Sequence, residues 1–238
     1  MLDNRAIATP GLNQLRLLQL VSPNLPTGAF TYSQGLEWAV QCGWITNQQQ
    51  TQEWLLSVLQ ASIESLELPV LIRLYQALHN KQDIDTEAFS YWCGRLYASR
   101  ETHELRQEEK QRARAMLTLL QQLTDSQHWP ELQTLQQELK QCQLASFALA
   151  ASYWEINLLD TLTGYCWSWL ENAVAAAIKL VPLGQTQGQQ LLLNMGHEVA
   201  MTIQNSLQIE EQRIGASTPA MAIASSLHET QYSRLFRS

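Results

Sequence analysis

Nowhere does this chain gather lysine and arginine into a block. Its 15 basic residues are scattered and outnumbered by 22 acidic ones, giving a formal net charge of −7. Neutralising phosphates takes clustered cations, so no nucleic-acid partner is expected. Cysteine is spare as well. Cys42, Cys93, Cys142 and Cys166 stand far apart, without the Cys-x-x-Cys spacing of a zinc or dithiol site. No basic segment followed by an apolar run opens the chain, so the expectation is a cytoplasmic protein with reduced thiols. Only 10 glycines occur, no run alternates β-branched residues with polar ones, and no internal repeat is present. Those absences argue against a sheet protein.

Signatures of catalysis are missing too. His103-Glu104 and His197-Glu198 each begin a His-Glu-x-x-His zinc motif, but Gln107 and Met201 stand where the second histidine belongs. Gly184 and Gly188 frame a loop that resembles an anion cradle, yet Gln189 follows where a P-loop requires lysine. There is no Gly-x-Ser-x-Gly elbow. Glu101, Glu104 and Glu108 share a helical stripe that reads as a solvated face, with Glu108 and Arg112 one turn apart. The alternative is a helical metal-dependent hydrolase built on Glu101, His103 and Glu104, which requires tight stoichiometric metal in the isolated chain. The expectation is no catalytic residue, no metal site and no cofactor.

What the chain does contain is helical periodicity. Residues 161–193 are the most apolar stretch, with Tyr165, Trp167 and Trp169 ahead of an Ala/Val/Ile run. Glu171, Asn172 and Lys179 interrupt it and Pro182 ends it, so it predicts a core helix and no membrane span. Breakers at 22–28 precede a helix over 29–38 that Gly43 caps. Asn47 or Thr51 starts a Gln-rich helix that Pro69 divides. Further helices follow from Asp85 or Thr86, from Arg100, over 131–141, over 145–156 and over 189–207. The fold class is all-α: one helical bundle of about nine or ten helices over residues 1–216. The remaining residues, 217–238, lose apolar periodicity and read as a C-terminal tail, flexible when free and ordered on binding a partner. That tail carries the aromatic and arginine chemistry of binding anchors. Lys179, on an apolar helix, and the polar pair Tyr32 and Glu37, at a loop-to-helix junction, are further candidates for contact.

Four stretches make a more specific pattern. They are Ser33-Gln34-Gly35-Leu36-Glu37; Arg100-Glu101-Thr102 with Glu104-Leu105-Arg106 and Glu108-Glu109; Leu162-Thr163-Gly164-Tyr165 through Lys179 to Gln185; and His228-Glu229-Thr230-Gln231-Tyr232-Ser233-Arg234-Leu235-Phe236-Arg237. In this order, across nearly the whole chain, they resemble the UreF family of urease accessory proteins. The resemblance implies a dimeric, non-enzymatic scaffold for nickel insertion into the urease apoprotein. Such a scaffold binds UreD (also called UreH) and recruits the GTPase UreG, either activating it or gating its hydrolysis. On this basis Lys179, Pro182, Gly184 and Gln185, with Tyr32 and Glu37, belong to the face offered to the GTPase. Tyr232, Arg234, Leu235, Phe236 and Arg237 belong to the tail that meets UreD/UreH. Deleting residues 228–238 is expected to leave helicity intact and to abolish co-purification with UreD.

Overall fold

The computed structural model describes residues 11–79, 83–215 and 218–237. The loose start expected over residues 1–10, the expected domain boundary at 216/217 and Ser238 lie outside these. Among the described residues every regular element is helical.

Side-chain caps set four of the helix starts. Helix α1 (Leu12–Leu20) and a 3₁₀ turn (Ala29–Thr31) lead to α2 (Leu36–Gln41), which closes on Gly43 at φ 77°. Asn47 then caps α3 (Gln48–Val58) by accepting the Gln50 N–H at 3.0 Å. A π-helical stretch (Leu59–Glu67) runs on into α4 (Leu68–Ala77). Asp85 caps α5 (Thr86–Ala98) and Thr102 caps α6 (His103–Gln122). The short α7 (Glu131–Thr134), α8 (Gln136–Gln141) and α9 (Gln143–Tyr153) follow. Asn157 caps α10 (Leu158–Leu180), and after the turn at 181–184 come α11 (Gln185–Ser206) and, near the end, α12 (Pro219–His228).

Three local expectations are corrected. Pro69 does not divide its helix, because the chain stays helical from Gln48 to Ala77. Proline cannot bond back to the carbonyl of Ser65. That carbonyl instead accepts the N–H of Gly215 at 3.0 Å. The helix expected over 29–38 is only a 3₁₀ turn, an extended Tyr32 and a left-handed Gln34-Gly35 pair ahead of α2. Residues 219–228, read as part of a tail, form α12, which packs on α2 and α6. Its inward face is Met221, Ala224, Ser225 and His228. Apart from Met221 this face is small or polar, while the larger Ile223 and Leu227 are exposed, so the sequence shows no apolar stripe on the buried side.

Helix α10 lies at the centre, in contact with α1, α2, α3, α4 and α11, while α6 packs against α8, α9 and α12. The main core is fully buried along α4 (Leu68, Val70, Leu71, Leu74), α9 (Leu144, Ala148, Leu149) and α10 (Leu162, Cys166, Leu170). The continuous helix Gln48–Ala77 is long and apolar enough to cross a membrane, but 67% of its most apolar window is buried inside the fold, as befits a core helix. A second, smaller core joins Leu36 and Ala39 of α2, Ala176 and Ala177 of α10, Val181 and Leu183 of the following turn, Ala224 of α12, and Phe236.

Candidate functional site

The site is built where α2, the N-terminus of α6, the C-terminus of α10 and the segment after α12 meet. It begins with Ser33-Gln34-Gly35-Leu36-Glu37. Gln34 takes a left-handed backbone (φ 53°), which sends its side chain between Glu108 and Trp169: Nε2 donates to Glu108 Oε1 at 3.1 Å, and Oε1 accepts from Trp169 Nε1 at 3.3 Å. Gly35 follows at φ 83°. A Cβ here would stand 2.9 Å from the Ser225 nitrogen and 3.0 Å from Ala224 Cβ. Only glycine lets the backbone of α12 come this close. Leu36 enters the small core and Glu37 turns toward the C-terminal segment.

Glu37 is buried and grips that segment. Its Oε1 accepts the Leu235 N–H at 2.6 Å, and its Oε2 accepts the Phe236 N–H at 2.8 Å. The same Oε2 lies 3.2 Å from Nε2 of His228, while Nδ1 of His228 lies 2.8 Å from Oε2 of Glu104. Arg234 reaches Glu104 Oε1 at 2.9 Å. Glu229 accepts the free backbone N–H groups of His103 and Glu104 at 3.0 and 3.3 Å, completing the cap that Thr102 begins. Thr102 Oγ1 also meets Ser225 Oγ at 2.8 Å. Further along, the Arg237 N–H donates to the Thr31 carbonyl at 2.8 Å. Phe236 is inserted into the small core, with Lys179 Nζ 5.6 Å from its ring centroid. The result is a clasp: the last ten described residues are held on the body by carboxylates, amides and one aromatic plug.

Beneath the clasp lies a buried ionic network. Arg100 donates to Glu67 at 2.6 Å and, through Nε and Nη2, to Glu109 Oε2 at 3.0 and 2.8 Å. Tyr165 donates to Glu67 at 3.1 Å, and the Gln143 N–H to Glu109 at 2.7 Å. Burial raises the Glu109 carboxyl above the ordinary carboxylate range despite the pull of Arg100. Burial also raises the Tyr32 phenol, with Glu108 adding to the shift.

The expected contact residues therefore divide in two. Lys179, Pro182, Gly184 and Gln185 are exposed, while their neighbours Val181 and Leu183 point into the small core. Tyr232 and Leu235 are exposed at 105% and 66%, and Arg234 and Arg237 are exposed as well. Phe236 is instead a core residue at 6%. Tyr32 and Glu37, expected on the GTPase face, are buried and bonded within the chain; the Tyr32 hydroxyl donates to Gln111 at 2.6 Å. The stripe Glu101, Glu104, Glu108 is not a solvated face, since Glu104 and Glu108 are buried and only Glu101 is exposed. The hydrolase alternative loses its constellation for the same reason. Glu101 and His103 face solvent, Glu104 is spent on His228 and Arg234, and no group of three or more metal-ligating side chains is assembled among the described residues. Sequence reasoning missed His228 as a central element, because a polar residue on a small-residue helix face gives no periodic signal.

Comparison with known proteins points to one family. The UreF family model matches residues 45–196. The urease accessory protein UreF of Alcanivorax borkumensis is 55% identical over 225 residues, covering 94% of this chain and 97% of that protein. Those of Alkalilimnicola ehrlichii and Pseudomonas entomophila are 44% and 45% identical, over 96% and 94% of this chain and 97% of each relative.

Proposed function

Because the chain belongs to the UreF family of urease accessory proteins and thus serves urease maturation as an accessory protein and not as a catalyst, we propose that it is the cytoplasmic scaffold on which nickel is inserted into the urease apoprotein. In this reading it works as a homodimer, which presents two copies of each surface. The C-terminal segment engages UreD/UreH. The exposed Lys179, Pro182, Gly184 and Gln185 receive the GTPase UreG and bias its nucleotide cycle.

The observation that carries the proposal is the two-sided character of residues 232–237. Phe236 and the Leu235 and Phe236 amides anchor the segment inward, while the Tyr232 and Leu235 side chains are turned outward and Arg237, exposed beside them, reaches Gln111 at 3.5 Å. An aromatic, a leucine and an arginine exposed together on an anchored segment have the composition of interface hot spots. Tyr32 and Glu37 act from beneath, positioning this segment.

Deleting residues 228–238 is a poor test of this reading, since it removes His228 and Phe236 from the interior and strips Glu37 and Glu104 of their partners. The better variant is Tyr232→Ala with Leu235→Ala, which alters only exposed side chains. In cells expressing the urease operon, loss of the chain is expected to leave urease protein levels unchanged and to empty the enzyme of nickel. The double variant is expected to lose co-purification with UreD/UreH and most of the nickel. Full nickel content without this chain would refute the scaffold role.

A further inference from the structure

His228 is fully buried, and each ring nitrogen faces a carboxylate oxygen: Glu104 Oε2 at 2.8 Å from Nδ1 and Glu37 Oε2 at 3.2 Å from Nε2. A neutral imidazole carries one N–H and one lone pair. Two ionised carboxylates flanking the ring therefore need one proton more than a neutral ring supplies. With that proton, Glu37 and Glu104 are balanced by His228 and Arg234. Without it, a lone pair faces a carboxylate at hydrogen-bond distance, and a net negative charge is left in a site largely shielded from water. We infer that the clasp takes up one proton when it closes, so that docking of residues 229–237 is proton-linked.

The surrounding groups leave this requirement in place. Helix α2 contributes Glu37 and α6 contributes Glu104. The C-terminal segment contributes Arg234, which is engaged with the other oxygen of Glu104. Glu229 is turned to the backbone of His103 and Glu104, and Thr102 and Ser225 are neutral. From α10 comes Lys179, whose ammonium lies over Phe236. The remaining partners of Glu37 are the Leu235 and Phe236 amides, which carry no charge. His228 is thus the one cationic partner of Glu37 among the described residues, and Glu37 is the residue that holds the segment. Raising the pH strips the ring of its second proton and loosens the clasp. The consequence for partners rests on the function proposed above; the proton linkage itself does not.

The test uses the full chain alone, so its failure would leave the accessory role standing and its success would not establish it. Nuclear magnetic resonance follows two signals from about pH 6 to about pH 9, the span that brackets ordinary histidine titration. One is the hydrogen-exchange protection of the Leu235 and Phe236 amides, and the other the side-chain nitrogens of His228. The expected result is a docked segment with both nitrogens protonated. Protection should then fall about tenfold per pH unit wherever the undocked ring is neutral and the docked ring still holds its second proton, the slope of a one-proton linkage. In Glu104→Gln the carboxamide oxygen still accepts from Arg234, and its NH₂ donates to a bare Nδ1, so the clasp closes on a neutral ring. Protection in that variant should be independent of pH over the same range. If Glu104→Gln does not dock at any pH, the wild-type nitrogens decide alone. A neutral His228 ring in the docked wild-type protein, or protection that stays constant as the ring titrates, would overturn the inference.

Discussion

At the scale of single residues, two positions have their identity fixed by what surrounds them. Gly35 combines a left-handed backbone with the closest approach of α12. Gly35→Ala meets both the conformational penalty and a contact that only backbone movement can relieve. The expected loss is about 2–4 kcal/mol, at the upper end of single-residue effects, read by urea denaturation together with exposure of the C-terminal segment to proteolysis. A loss under about 0.5 kcal/mol, the range of neutral surface changes, would show that α12 yields easily. Arg100 is the second position, buried between Glu67 and Glu109. Arg100→Ala strands two carboxylates away from water, for an expected cost of about 3–5 kcal/mol. The sign of its pH dependence follows from Glu109, which burial already raises above the ordinary carboxylate range. A carboxyl raised on folding favours the folded state below its unfolded value and loses that contribution as pH rises through the folded one. Removing the cation enlarges the effect, so the deficit of the variant should shrink on acidification. A deficit that grows in acid would contradict this assignment.

At the scale of elements, the C-terminal segment behaves as a plug with an outer face. Phe236 fills the small core between α2, α10 and α12, whereas Leu235 beside it is exposed. Phe236→Ala is expected to detach residues 230–237 while the main core stays intact, costing about 3 kcal/mol for a buried phenylalanine. Leu235→Ala should leave docking unchanged. Amide protection of residues 234–237 distinguishes the two, and equal effects would mean that the small core does not hold the segment. Much at this scale was legible in the sequence. Asn47, Asp85 and Gly43 mark their helix ends as capping chemistry dictates, and the 182–184 break falls between α10 and α11. Helix α12 was not legible, since Met221 is the one large apolar residue on its inward face, beside Ala224, Ser225 and His228, while Ile223 and Leu227 are exposed. Nor was the passage through Pro69. There the helix is π-helical up to Glu67, and the Ser65 carbonyl four residues before the proline accepts the N–H of Gly215, 150 residues away by number.

At the scale of the whole molecule, the all-helical architecture was readable from periodicity and from the shortage of glycine and β-branched runs. The site was readable only as four separate stretches. What no spacing rule conveys is that Ser33–Glu37, the start of α6, the end of α10 and the C-terminal residues converge on one clasp, because their contacts span up to 199 positions of sequence. As polar residues at a loop-to-helix junction, Tyr32 and Glu37 read as binders, since such groups more often bind than pack. They do bind, but what they bind is their own chain.

The small core has a thermodynamic corollary. Val181 and Leu183 hold the outward-facing turn with Pro182 and Gly184, and Phe236 packs in the same cluster. A molecule that pulls Phe236 away takes support from that turn, and one that braces the turn changes the work of extracting Phe236. By linkage, whatever factor the first imposes on the affinity of the second, the second imposes equally on the first. The order in which two binders arrive would then leave the stability of the finished assembly unaltered, and would decide only which intermediate is populated on the way.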